Sequence, residues 1–63
     1  MKERKVRRKL LYLLRQRVRN RAFEATEMSK LLTSGKVSAE EYKRAVRSYQ
    51  RAKKDYEAIA ELP

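Results

Sequence analysis

The chain has no cysteine, no histidine and no tryptophan, and only one glycine and one proline in its 63 residues. Each absence removes a class of chemistry. Without cysteine there are no disulfides, no thiol nucleophile and no thiolate-bound zinc. Without histidine the commonest metal ligand is missing, as is the side chain best suited to proton transfer near neutral pH. A single glycine cannot build a glycine-rich phosphate loop. The 8 acidic residues are scattered, and none stands at a recognisable spacing from a nucleophile. No catalytic constellation follows, so a non-enzymatic protein is expected, with no cofactor, no metal and no small-molecule substrate.

Long apolar runs are equally scarce. The block LLYLL, residues 10–14, is closed off by Lys9 and Arg15. It falls short of the roughly 7–15 apolar residues of a secretory signal and far short of the ~18 of a membrane span. A soluble, intracellular protein of the cytoplasm is the expectation, with no membrane span. At 63 residues there is room for one small domain. Such a chain buries only about 60% of the surface that its unfolded form exposes.

Positive charge is abundant and unevenly placed. The net charge is +10. Residues 1–21 hold ten Lys or Arg against Glu3 alone, whereas residues 22–63 hold eight basic and seven acidic residues. Such asymmetry points to nucleic acid, an anionic membrane surface or an acidic protein partner, and concerns association, not fold.

Apolar residues recur at helical spacing before the stretch TSGKVS, residues 33–38: Leu11, Leu14, Val18, Ala25, Met28 and Leu32. Arg21 occupies the missing step, where a snorkelling side chain paired to a nearby carboxylate fits. Val6, Leu10, Leu13, Ala22 and Leu31 widen the stripe, and Phe23 falls off it. Beyond the turn a heptad repeat places Tyr42, Tyr49 and Tyr56 seven apart, with Ala45, Ala52 and Ile59 three residues after each. Large and small residues alternating along one seam suit closely packed helices, as in a coiled coil. Gly35 suits the left-handed position that ends a helix. Ser38 followed by Glu41 is a capping box that starts the next.

The fold expected is all-α, an antiparallel two-helix hairpin forming a single domain over 1–63. Helix one covers about 3–33, the turn 34–38 and helix two about 39–62. Pairing across the turn sets residue numbers that sum to about 71. Glu24 and Glu27 then face Lys43, Arg44 and Arg47, while Asp55, Glu57 and Glu61 face Arg15, Arg17 and Lys9. On that register residues 1–9 project as a basic arm. A lone hairpin has one internal interface, and Leu10, Tyr12 and Leu13 cannot all reach it, so self-association into a helical bundle is expected.

The segment LLTSGKVSAEEYKRAV, residues 31–46, resembles the SHOCT domain, a short C-terminal oligomerisation hairpin. The matching residues are Leu31, Leu32, Gly35, Val37, Ser38, Glu40, Glu41 and Tyr42, within about a quarter of the chain. The resemblance implies a homo-oligomer and brings no binding site with it.

Basic residues at a helix N-terminus oppose the macrodipole, and a bound polyanion would relieve that cost. The candidate nucleic-acid contacts are Arg4, Lys5, Arg7, Arg8 and Lys9 on the arm, with Arg15, Arg17 and Arg19 beyond it. Lys43, Arg47, Arg51 and Lys54 add a row along helix two. The heptad tyrosines read as packing residues, and Tyr12 is the better candidate for stacking on a base. The function expected is phosphate-backbone binding to DNA or RNA with little sequence specificity, as in a small phage or plasmid regulator. The alternative is a structural or assembly adaptor whose basic helices dock on an acidic protein.

Overall fold

The structure is a computed structural model that describes the backbone from residue 2 to residue 63 and side-chain surroundings from residue 5 onward. Two helices, α1 (Lys2–Thr33) and α2 (Ala39–Ala60), pack against each other as a hairpin, with no strand among the described residues. The molecule is long and thin, 51 × 14 × 10 Å along its principal axes.

The turn is built from the residues that the sequence marks for it. Gly35 has φ +74°, the left-handed region where a Cβ is strained. With Gly35 in that state, the Lys36 amide donates to the Leu31 carbonyl at 2.9 Å and the Gly35 amide donates to Leu32 at 3.0 Å. This pair of bonds is a Schellman motif, which satisfies carbonyls that α1 would otherwise leave unpaired. Ser38 sits extended, at φ −83° and ψ 160°, and its hydroxyl accepts the Glu41 amide at 3.2 Å. Glu40 and Glu41 lie in the first turn of α2, where the helix dipole favours negative charge.

α2 ends at Ala60, two residues short of the expected 62. Leu62 precedes Pro63, whose ring disfavours helical geometry in the residue before it. The Glu61 amide still donates back to the Glu57 carbonyl at 3.0 Å, and the chain leaves the helix there.

Leu11, Leu14, Val18, Ala25, Met28 and Leu32 of α1 are each half-buried, as are Tyr42, Ala45, Tyr49, Tyr56 and Ile59 of α2. Ala52 is the single buried residue among those described. The contact between the helices is thus a seam and not an enclosed interior. Each helix offers one stripe to the other and keeps the rest of its surface in solvent.

Arg7 ties the open end of the hairpin together. Its guanidinium donates to the carbonyls of Ile59 and Ala60, both at 3.4 Å, of Pro63 at 3.2 Å, and of Leu62. The cause lies in α2 itself. Its last turn has no basic residue, while Glu57 and Glu61 place negative charge where the dipole is already negative. Arg7 supplies the missing cation from the other helix. Its expected place on a free projecting arm is therefore corrected: its side chain reaches forward to the end of α2. Replacing Arg7 with Ala should lower unfolding stability by about 1–2 kcal/mol, the scale of charge-assisted bonds to helix carbonyls. Chemical denaturation followed by circular dichroism measures it.

The ion pairs correct a second expectation. Glu24 and Glu27 make no ion pair with α2 among the described residues. Glu24 accepts from Arg21 at 3.0 Å and Glu27 from Lys30 at 3.4 Å, both one turn away on α1. Lys43 likewise meets Glu40 of its own helix at 3.9 Å. The interhelical pair among the described residues is Arg17 with Asp55, at 4.0 Å. Partners one turn apart need no interhelical register, and exposed side chains settle on them first.

Candidate nucleic-acid interface

Three surfaces remain once the seam is formed. The first is the outward face of α1. Lys5, Arg8, Tyr12, Arg15, Arg19 and Phe23 follow one another at spacings of three or four, so they share one side of the helix. All six are exposed, Tyr12 at 61% and Phe23 at 67%. Lys9 is exposed on the neighbouring row. None of these basic residues has an ion-pair partner among the described residues, so their charge is available to a ligand.

The second surface is the back of α2. Lys43, Arg47, Arg51 and Lys54 are all exposed along it. Arg47, Arg51, Lys53 and Lys54 line a shallow groove with Gln50 and Glu57. The third is an apolar flank. Val6, Leu10, Leu13 and Arg17 are spaced four, three and four, which is one stripe of α1. The Arg17–Asp55 pair marks where that stripe borders α2. Val6, Leu10 and Leu13 on it are exposed at 65%, 40% and 54%.

The candidate contacts thus separate. Among the described residues, Lys5, Arg8, Lys9, Arg15 and Arg19 of α1 and Arg47, Arg51 and Lys54 of α2 have no ion-pair partner. Arg7 is occupied by the end of α2, Arg17 by Asp55 and Lys43 by Glu40. The side chain of Arg4 lies outside the described residues. Sequence reasoning missed the capping role of Arg7 and the shared face of Tyr12 and Phe23. Both had a signal. α2 ends in acids without a base, and residues 12 and 23 are eleven apart, just over three helical turns.

Among the described residues no group of His, Cys, Asp or Glu is arranged to hold a metal ion, and no helix is long and apolar enough to cross a membrane. Comparison with protein-family models, with curated protein sequences and with solved structures finds no match to this chain.

Proposed function

We propose that this chain is a small nucleic-acid-binding protein that grips the phosphate backbone with little sequence specificity and works as a homo-oligomer. The observation that carries the first part is the unpaired, acid-free run of Lys5, Arg8, Arg15 and Arg19 down one exposed face of α1. Like charges at one-turn spacing repel, and a polyanion removes that repulsion while releasing its own counterions. Side chains able to read base edges are few, Gln16, Asn20 and Gln50 among them, so backbone contacts dominate.

Surface area supports the oligomer. The chain exposes 5639 Å². A compact monomer of 7.6 kDa exposes about 4,300 Å². The excess, roughly 1,300 Å², exceeds the ~800 Å² per partner of a standard protein interface. The flank of Val6, Leu10 and Leu13 is the surface for it, and the resemblance of residues 31–46 to an oligomerisation hairpin agrees.

The test is fluorescence anisotropy with labelled duplex DNA, duplex RNA and single strands. A duplex of about 15 base pairs matches the 51 Å molecule at ~3.4 Å rise. Dissociation constants of about micromolar or tighter at physiological salt, for at least one form, are expected. If no form binds, the adaptor reading replaces this one and the partner is an acidic protein.

A further inference from the structure

We infer that the ligand of the α1 face is single-stranded nucleic acid, whose bases stack on Tyr12 and Phe23 while its phosphates lie on Arg8, Arg15 and Arg19. This rests on the proposed function and narrows it.

A phosphate grip needs only cations, and the α1 face carries more. Tyr12 and Phe23 are exposed at 61% and 67%, among the most exposed large apolar side chains of the molecule. Neither is required by the seam, which Leu11, Leu14, Val18 and Ala22 occupy in this part of α1. A duplex keeps its bases stacked inside and presents sugar and phosphate to a cationic face, so the two rings would have nothing to meet. A single strand offers both components at once. Every base has a π-face that an aromatic ring can cover, and every linkage has a charge.

The spacing fits that division. The rings are eleven residues apart, about 16.5 Å along a helix at ~1.5 Å per residue. Arg15 and Arg19 lie between them and Arg8 lies just beyond Tyr12. A strand following the helix thus meets ring and cation alternately. Acids do stand close to Phe23, which borders a hollow lined by Glu24, Glu27, Met28 and Ala45. Both carboxylates are neutralised locally, Glu24 by Arg21 at 3.0 Å and Glu27 by Lys30 at 3.4 Å. Phosphate can approach the ring without meeting an uncompensated negative charge. A second copy of this face is a poor occupant, because its own Lys5, Arg8, Arg15 and Arg19 would be brought against their counterparts.

The experiment compares the full-length chain with the double variant Tyr12→Ala, Phe23→Ala. Labelled single strands and duplexes of equal length are titrated at one salt concentration. Alanine favours helix, so the hairpin should persist, and circular dichroism checks it. Single-strand affinity should fall about thirtyfold or more, since stacking on an aromatic ring is worth roughly a factor of five or more per base. Duplex affinity should change by less than about threefold. The chain has no tryptophan, so Tyr12→Trp and Phe23→Trp each install a sole reporter. Their emission should be quenched by single strands and not by duplex. If the double variant keeps its single-strand affinity, or loses both affinities equally, the stacking assignment is overturned and backbone binding stands. If the parent chain binds no form of nucleic acid, both are overturned.

Discussion

Replacing Arg8, Arg15 and Arg19 together with Gln should weaken single-strand binding about a hundredfold at 0.1 M salt. The figure follows from counterion release, in which each phosphate contact on a single strand adds about 0.7 to the log–log salt slope and so roughly a factor of five at that concentration. The slope itself should become shallower by about 2.1. Gln has nearly the helix propensity of Arg, so α1 should survive the change. All three residues are exposed and lack ion-pair partners among the described residues, so the hairpin loses no pairing. Replacing Arg17 should do less, because that side chain already answers Asp55 at 4.0 Å. Equal losses at Arg17 and Arg15 would show that bulk charge, and not this face, governs binding.

The second large effect concerns assembly. Sedimentation equilibrium should find the parent chain at a multiple of 7.6 kDa at tens of micromolar, a concentration at which interfaces of standard size are usually occupied. Substituting Leu10→Gln and Leu13→Gln should weaken that association about a hundredfold or more, since each contact between copies buries these leucines from both. The salt dependence should run opposite to that of nucleic-acid binding. Lys9 and Arg17 border the flank, and like charges brought together there are screened as salt rises and the Debye length falls to about 8 Å or less. Phe23→Gln, on another face of α1, should leave the mass unchanged. A parent chain that is fully helical at its monomer mass would remove the oligomer from the account.

The hairpin was legible because its signals are local and redundant. Gly35, Ser38 and Glu41 mark the turn by their own backbone chemistry, and the apolar repeats mark one stripe on each helix. Of the twelve residues that read as packing side chains, Leu11 to Ile59, eleven are half-buried and Ala52 is buried. What escaped was interaction at longer range. The register sum of 71 places the end of α2 near Leu10, but an Arg side chain is long enough to reach carbonyls beyond it. Arg7 therefore binds where a free arm was expected. The acids were assigned across the hairpin from register alone, whereas Glu24 and Glu27 found cations one turn away. Within LLYLL the sequence puts Leu11 and Leu14 on the stripe and leaves Leu10, Tyr12 and Leu13 without room to reach it together. A helix turns about 100° per residue, so Leu11 and Leu14 face α2 while Leu10, Tyr12 and Leu13 do not. Phe23 was noted only as lying off the stripe, because its meaning depends on Tyr12, eleven residues earlier.

The most direct test of the account is the salt dependence of binding by the parent chain, measured by anisotropy from about 50 to 200 mM with a short labelled strand. A face that neutralises about six phosphates of a single strand predicts a log–log slope near −4, and so about a three-hundredfold loss of affinity across that range. Micromolar or tighter binding should still hold at physiological salt. A slope near zero, or binding that has vanished for every nucleic-acid form by about 150 mM, would contradict it.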